Sequence, residues 1–380
     1  MNKRFLIYYA AGFAAISAVD MLTAALPIHL NGVFGNAFDV GLIYGIFPVL
    51  SVLIRLQISE FVFRINLKKA LFAGLVIMAV SQGAYIFAGS SRALWLALRM
   101  IFGVGICAYF IVLLEAVNDE IASKSHSLYY GIFSTLFVGS MLFAPALGER
   151  VLSRFGFNAL IFFTGFFFIL AAAAVIFVED KRTDRPGFDK NNFYKIILQK
   201  HSHFGLLFMT IFTYSSVIVF LPLLGNAKGF DNFAFSFTFI SLSPIAVRFC
   251  SGKLFAAYPT HKFIFAGTLI ISAAIALFAF SLRTVVFFSA AALFGIGWAF
   301  FESNYMPSLL AGGGKKSELI AVYSLFFDMA WFVGPLASGV AADRYGVICL
   351  YQALPIVCLI GMIYFFRFKG EPEPAAKLKF

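Results

Sequence analysis

Charged residues and cysteines are both scarce in this 380-residue chain. Only 12% of the residues are charged, whereas 61% are hydrophobic, and the mean hydropathy is +0.91. A soluble globular domain has about a quarter of its residues charged, so this composition excludes that class. The four cysteines lack metal-ligand spacing, and we interpret them as small apolar residues within helices.

Motifs of enzyme chemistry are also missing from the sequence. It contains neither a nucleophile–base grouping nor a phosphate-binding loop, and its five histidines form no ligand set. We therefore predict a protein that is not an enzyme and that has no cofactor or metal. The net charge of +11 is spread over loop ends instead of forming one patch, so no nucleic-acid partner is predicted.

Long apolar runs are what the sequence has in abundance. A helix needs about 20 residues to cross roughly 30 Å of hydrocarbon, and these runs lack the alternation of a barrel strand. The predicted helices, numbered 1 to 12, span about 5–30, 38–58, 68–89, 92–117, 126–150, 155–178, 202–226, 232–257, 262–282, 284–308, 318–342 and 346–368. The sequence thus predicts an all-α integral membrane protein with twelve transmembrane helices.

The distribution of positive charge predicts how these helices are oriented. With both termini placed in the cytoplasm, 22 of the 29 Lys and Arg residues lie on the inner side, six lie on the outer side, and Arg99 lies within a helix. The positive-inside rule therefore favours cytoplasmic termini. Because Asn-x-Ser/Thr sequons are also absent, we expect a multi-pass protein of a bacterial inner (plasma) membrane.

The two halves of the chain follow one plan. A set of identical or similar residues is found again 193 positions later. Arg55, Ser59, Phe61, Lys69 and Gly74 correspond to Arg248, Gly252, Leu254, Lys262 and Gly267. The predicted domains are therefore two pseudo-symmetric six-helix bundles, 1–178 and 202–380, the second with a short cytoplasmic tail, joined by a charged cytoplasmic linker, 179–201. Parallel repeats of this kind are typical of transporters.

The loop between predicted helices 2 and 3 resembles a signature of the major facilitator superfamily. Its matching residues are Arg64, the turn-compatible Asn66 and the basic pair Lys68-Lys69, whereas Phe63 replaces the aspartate of the signature. The resemblance implies a latch that gates the cytoplasmic face. A simple topology anchor explains the basic pair equally well. The residues predicted to gate here and in the second half are Arg55, Arg64, Lys68, Lys69, Arg248 and Gly252.

Predicted helix 4 is similar to the arginine-plus-glycines motif of the same superfamily, in Arg99-Met100-Ile101-Phe102-Gly103-Val104-Gly105. An arginine inside hydrocarbon costs about 2.5–3.5 kcal/mol, so it should face a cavity or a partner. At 1.5 Å per residue, Asp20 in helix 1 lies at nearly the same depth as Arg99. The resemblance implies that both helices line a central cavity. We therefore predict an Asp20–Arg99 ion pair in proton coupling, with snorkelling or a packing role for Arg99 as the alternative.

Predicted helix 5 is similar to the antiporter signature of the superfamily, at Gly131, Ser140, Ala144-Pro145 and Gly148-Glu149. Small residues allow close helix approach, and the proline bends the helix. The resemblance favours export. Helix 11 has an analogue around Pro335, so the kink is alternatively an element of shared architecture.

Further carboxyls lie within the predicted helices. Burial in the membrane favours the protonated form of Glu302 and Asp328, so each is predicted to carry protons, or alternatively to tie two helices together by a hydrogen bond. Glu115 is alternatively part of a hydrated helix end. The predicted substrate-cavity residues are Asn304, Tyr305, Tyr109 and Glu115.

Together these features predict a secondary active transporter that works by alternating access. The expected activity is proton-coupled efflux of a small organic compound, and the 51 phenylalanines favour a lipophilic one. The expected partners are substrate, protons and the lipid bilayer, with the protein monomeric. The alternatives are a proton-symporting importer of a nutrient or metal chelate, and a non-transporting membrane sensor or assembly partner.

Overall fold

A computed structural model describes residues 3–50, 52, 66–120, 126–178, 193–311 and 316–368. Side chains within these ranges are described except at 3–4, 115, 118–120, 126–135, 137, 193, 248–257 and 316–317. The chain forms two compact units, the N-terminal unit Met1–Phe188 and the C-terminal unit Asp189–Phe380. All regular structure in the described ranges is helical.

Among its described residues, the N-terminal unit contains a short 3-10 helix, Ala84–Phe87, and six α-helical segments. They are α1 (Lys3–Phe34), α2 (Ala37–Gly45), α3 (Leu67–Gly83), α4 (Arg92–Glu120), and α5 (126–155) and α6 (157–176), which are the two parts of His126–Ile176. Asn36 caps α2 by accepting the N–H of Asp39 at 2.8 Å, and Asn66 caps α3 in the same way for Lys68 at 3.0 Å. The caps explain why these helices begin where they do.

The first described helix of the C-terminal unit is the short helix Phe193–Gln199, which lies within the predicted linker 179–201. It is followed by α7 (His201–Ala227), α8 (Phe235–Ala257), α9 (Thr260–Phe280), α10 (Thr284–Ala311), α11 (Lys316–Tyr345) and α12 (Val347–Phe368). Helix α7 packs against α11 and α12, whereas α10 packs against α8 and α9.

Glycines at corresponding positions show that both units use the same turns and helix contacts. Gly156, between α5 and α6, has a φ of 83°, and Gly346, between α11 and α12, has a φ of 86°. This left-handed conformation strongly favours glycine. A Cβ on Gly105 would lie 2.9 Å from the Met78 nitrogen, and one on Gly297 would lie 2.8 Å from the Ile271 nitrogen. The predicted repeat is therefore visible in the packing of α3 on α4 and of α9 on α10.

Nine helices in the described part of the chain are long and apolar enough to cross a membrane, and two shorter apolar helices, Ala37–Leu50 and Phe235–Val247, accompany them. One of the nine spans, Val138–Ile176, contains the break at Gly156. The sequence placed a gap of several residues between predicted helices 5 and 6. That gap was wrong, because a single left-handed glycine makes the turn.

Candidate functional site

Helices α1 and α5 approach each other closely in the N-terminal unit. A Cβ on Gly148 would collide with the main-chain carbonyl of Met21 and would lie 2.9 Å from its Cα. Ala144, one turn earlier on α5, is fully buried. The small residues of the helix 5 signature therefore form the face of α5 that packs against α1, as close helix contact requires.

This contact brings Ser140 of α5 to Asp20 of α1. The Ser140 hydroxyl donates a hydrogen bond of 2.5 Å to Oδ2 of Asp20. Ser140 is fully buried, whereas Asp20 is half-buried. A hydrogen bond to a carboxylate supports its charged form, and the packed helices do not fully enclose the side chain of Asp20. The arrangement can therefore hold and release a proton at Asp20.

The C-terminal unit makes the same helix contact without a carboxyl. Ser215 of α7 donates to the carbonyl of Ala330 on α11 at 3.3 Å, and Ser338 donates to Ser216 at 2.7 Å. Ser215 lies 195 residues after Asp20, the interval that also separates Pro222 from Pro27 in the same two helices. The packing thus needs only a small neutral residue at this position, and the carboxyl of Asp20 is an addition to the shared plan.

Arg99 of α4 is buried at the end of α2. Its Nε donates to the carbonyl of Ile43 at 3.3 Å and its Nη2 to the carbonyl of Tyr44 at 3.2 Å. Its guanidinium carbon lies 4.9 Å from the Tyr44 ring centroid and 5.3 Å from that of Phe47. The guanidinium therefore caps the negative end of α2 and is held between aromatic rings.

The predicted ion pair between Asp20 and Arg99 is not formed. Among the described residues, Asp20 accepts a hydrogen bond from Ser140, whereas Arg99 donates to main-chain carbonyls and lies beside the hydroxyl of Tyr85. Tyr44 lies within electrostatic reach of both side chains and shares a hydrogen bond with Thr23. Equal depth in the membrane did not bring the two side chains together. The end of α2 leaves main-chain carbonyls without a partner within the helix, and Arg99 donates to these instead. These contacts fit the packing role that was the alternative for Arg99.

Seven aromatic side chains of the C-terminal unit form a closed cycle of neighbouring rings, which we call the aromatic cycle. Its members are Tyr214 of α7, Trp298, Phe301 and Tyr305 of α10, and Tyr323, Phe327 and Trp331 of α11. The centroid separations run from 4.2 Å for Tyr214–Trp298 to 6.4 Å for Phe327–Trp331. Five of the seven are half-buried, so an apolar or aromatic ligand could stack on them.

The two predicted carboxyls of the C-terminal unit lie beside this cycle. Asp328 is half-buried, whereas Glu302 is exposed and within electrostatic reach of Tyr323. The expectation that Glu302 is buried was therefore wrong. Asn304 and Tyr305 are buried, and they donate to the carbonyls of Phe300 and His203 instead of to Glu302.

Other predicted residues have different environments from those expected. Tyr109 is fully buried in the hydrophobic core of the N-terminal unit, so it does not line a cavity there. Tyr109 is buried because Gly74 lets its main chain approach closely. A Cβ at Gly74 would lie 2.9 Å from the Tyr109 nitrogen. The side chain of Glu115 lies outside the described residues.

Of the predicted gating residues, Lys68 donates from Nζ to the carbonyl of Ile176 at 2.6 Å, while Lys69 is exposed. The Lys68 contact fits the anchor interpretation. Pro145 and Pro335 are buried within α5 and α11. Arg55 and Arg64 lie outside the described residues. Gly131, Arg248 and Gly252 lie in described helices, but their surroundings are outside what the structure describes.

Sequence reasoning missed a salt bridge and the aromatic cycle. Arg92 at the start of α4 contacts buried Asp39 of α2 through Nε at 2.5 Å and Nη2 at 2.6 Å. The spacing of Asn36 and Asp39 resembles a capping box and could have drawn attention to Asp39. The cycle had only a partial signal, because its rings on α10 and on α11 follow helical spacing but the sequence does not show that α7, α10 and α11 meet. Within the described ranges, no three His, Cys, Asp or Glu side chains converge as metal ligands would.

Comparisons with known proteins agree with this architecture. The sequence profile of the Major Facilitator Superfamily matches residues 8–312. The "Staphylopine export protein" of Staphylococcus aureus (strain Mu50 / ATCC 700699) is 21% identical over 397 residues, with 98% of each chain covered.

Solved structures of transporters share the fold at low sequence identity. The nucleoside transporter NupG, solved as a point mutant, has a TM-score of 0.78 at 10% identity and covers 97% of this chain and 100% of its own. The human organic anion transporter MFSD10 (TETRAN) has a TM-score of 0.70 at 15% identity, covering 95% of this chain and 98% of its own. A bacterial homologue of the human lysosomal transporter Spinster, inward-facing and unoccupied, has a TM-score of 0.72 at 13% identity, with 97% of each chain covered.

Proposed function

The chain belongs to the Major Facilitator Superfamily and is a membrane transporter, not an enzyme, and on this basis we propose that it exports a small organic compound in exchange for protons. The observation that carries the proposal is the Asp20–Ser140 contact. The corresponding contact in the C-terminal unit is made by neutral groups, so helix packing does not explain a carboxyl at Asp20. A carboxyl kept in a membrane helix without a packing reason is a functional residue by default.

Proton coupling at Asp20 follows from its surroundings. An ionised carboxylate only accepts hydrogen bonds, whereas the protonated form can also donate one. Protonation therefore changes the contact between α1 and α5 at their closest approach. If the outward-open state favours the protonated carboxyl and the substrate-bound inward-open state favours the ionised form, inward proton movement drives substrate outward. Coupling requires this difference, because a ligand that binds both states equally shifts nothing.

Export as the direction has two supports. The relative that matches 98% of this chain is named an export protein. The helix 5 signature, which favours antiport, forms the face of α5 that packs against α1 beside Asp20. Staphylopine itself is therefore one substrate to test.

The aromatic cycle supports an apolar or aromatic body in the substrate. Stacking on a tyrosine or tryptophan ring contributes about 0.5–1.5 kcal/mol beyond burial of area. The exposed carboxyl of Glu302 lies next to the cycle in the sequence of α10 and can accept hydrogen bonds from a polar group of the same molecule. Asp328 and Glu302 are the additional proton carriers in this proposal.

The proposed topology has twelve crossings, both termini in the cytoplasm and a monomer in a bacterial inner membrane. The excess of Lys and Arg on one side supports it, with 22 of 29 on the cytoplasmic side. Single cysteines introduced at Lys200 and at Arg283 test the orientation in a background from which the four native cysteines have been removed, because Cys349 is exposed. Only the Arg283 position should react with an impermeant thiol reagent added outside intact cells; reaction at Lys200 instead would reverse the topology.

The decisive experiment uses proteoliposomes of known orientation with an imposed pH gradient. The wild-type protein should move substrate against the direction of proton flow, with staphylopine, lipophilic cations and aromatic compounds as the panel. Asp20→Asn should lose gradient-driven transport while retaining substrate exchange in the absence of a gradient. Glu149→Gln on α5 is the matched control, since it removes a half-buried carboxyl near the end of the same helix pair and should transport normally.

Three outcomes would contradict the proposal. Full gradient-driven transport by Asp20→Asn removes the carboxyl from coupling. Substrate and proton moving in the same direction makes the protein an importer. No substrate-dependent proton flux across the whole panel supports a membrane sensor or assembly partner instead.

A further inference from the structure

A separate cavity lies at the end of the C-terminal unit where α7 begins and α12 ends. Its volume is about 300 Å³, and it is bounded by the short helix Phe193–Gln199, α7, α11 and α12. Its apolar lining is formed by Ile197, Phe204, Met209, Phe326 and Ile360, with Gly205 and Gly361 between them. This volume is at the lower end of the range of small-molecule sites.

The polar groups of the cavity are at one end. Nδ1 of His201 lies 2.9 Å from the hydroxyl of Tyr364, and both residues line the cavity. Ile360 and Tyr364, one turn apart on α12, are 52% and 36% exposed. The cavity is thus apolar in its depth, polar at one end, and open to the surface of α12.

The short helix Phe193–Gln199 has an apolar face that points away from the protein. Tyr194 and Leu198, four residues apart and so on one face, are 78% and 74% exposed. Exposed apolar residues on a short helix beside the end of a membrane span are typical of a helix that lies in the membrane interface. The cavity therefore lies at the level where lipid headgroups and acyl chains meet.

Positive charge surrounds the polar end of the cavity. Lys200 immediately precedes His201, Arg367 lies one turn after Tyr364 on α12, and Lys195 is exposed on the short helix. Residues 193–227 and 347–368 contain no Asp or Glu. The charge distribution also assigns this end of the unit to the cytoplasmic side, where anionic lipids attract basic residues.

We infer that this cavity binds one anionic phospholipid of the cytoplasmic leaflet. An acyl chain occupies the apolar depth, and the phosphate lies near Lys200, Arg367 and the His201–Tyr364 pair. The lipid bridges the short linker helix to α7 and α12. This site is independent of substrate and of Asp20, which belongs to the other unit.

The test uses the purified full-length protein, delipidated in detergent and titrated with phosphatidylglycerol or with phosphatidylcholine of the same acyl chains. Native mass spectrometry counts the bound lipid, and the shift in melting temperature gives the apparent affinity. Each basic residue near an anionic lipid contributes roughly fivefold to affinity, so Lys200→Gln/Arg367→Gln should bind phosphatidylglycerol roughly 25-fold more weakly. The matched control is Lys262→Gln/Arg283→Gln, which removes two exposed charges of the same unit and should bind normally.

A second variant tests the apolar part of the site. Ile197→Trp fills the cavity from the short helix, and it should lose the bound phosphatidylglycerol while keeping the melting temperature of the lipid-free protein. Retention of the lipid by Ile197→Trp, equal binding of the two phospholipids by the wild type, or an equal loss in the control variant would each overturn the inference. Failure of the wild type to bind phosphatidylglycerol would overturn it as well, and would indicate that the chain itself fills the cavity.

Discussion

Replacement of Gly148 by alanine tests the contact that positions Asp20. The added Cβ would collide with the Met21 carbonyl and lie 2.9 Å from the Met21 Cα, and both are main-chain atoms that cannot rotate away. Helices α1 and α5 would have to separate. Overpacking of this kind costs about 1–3 kcal/mol, and the better helix propensity of alanine offsets up to about 1 kcal/mol.

Because the clash is with main-chain atoms, we take the upper part of this range, about 2–3 kcal/mol, and the expected net destabilisation is about 1–2 kcal/mol. In a unit of this size each kcal/mol lowers the melting temperature by roughly 2–4 °C, so Gly148→Ala should melt roughly 2–8 °C below the wild type. A thiol-reactive fluorophore can follow unfolding in a background from which Cys250 and exposed Cys349 have been removed, because Cys107 and Cys358 are buried. Separation of the helices should also weaken the Ser140–Asp20 hydrogen bond, so proton-driven transport should fall more than substrate exchange.

Gly165→Ala in α6 is the control for this experiment. A Cβ at Gly165 meets nothing within 4 Å, so only the helix propensity changes. This variant should melt at or slightly above the wild-type temperature. If Gly148→Ala proved as stable as Gly165→Ala, α1 and α5 could not pack as described, and the placement of Asp20 against Ser140 would be refuted.

Three further variants test other contacts. Arg99→Lys keeps the charge but cannot donate to two carbonyls in a fixed fork. Thermal unfolding should therefore show a stability lower by about 1–3 kcal/mol, and unchanged stability would exclude the cap on α2. Arg92→Gln leaves the buried carboxylate of Asp39 without its cation and should lower the melting temperature, whereas a shift within error would mean that the salt bridge is negligible. Tyr305→Phe removes the hydrogen bond to the His203 carbonyl and should destabilise by about 1 kcal/mol in the same assay, with an unaltered melting curve counting against that bond.

The two units share their close helix contacts but differ in several polar residues. Both units use glycines at matching positions for close helix contacts, such as Gly105 and Gly297. Arg99, by contrast, corresponds to fully buried Ala291 at the same 192-residue interval. Arg99 therefore serves a contact at the end of α2 that the shared architecture of the two units does not require.

The class of the protein, most of its helices and the repeat could all be predicted from the sequence. These properties depend on local chemistry: the length of an apolar run, a glycine at a turn, and the spacing of residues along one chain. The turn at Gly156 was only partly predictable, because a single left-handed glycine needs no polar gap.

The partners of the candidate residues, by contrast, depend on how the helices pack. Asp20 and Arg99 lie at similar depths, yet Asp20 contacts Ser140 of α5 and Arg99 contacts the carbonyls at the end of α2. Within α10 and within α11 the rings of the aromatic cycle follow helical spacing, but no spacing in the sequence shows that α7, α10 and α11 bring them together. Depth follows from counting residues along a helix, but which side chains meet depends on how each helix is rotated and which neighbour leaves a group unpaired.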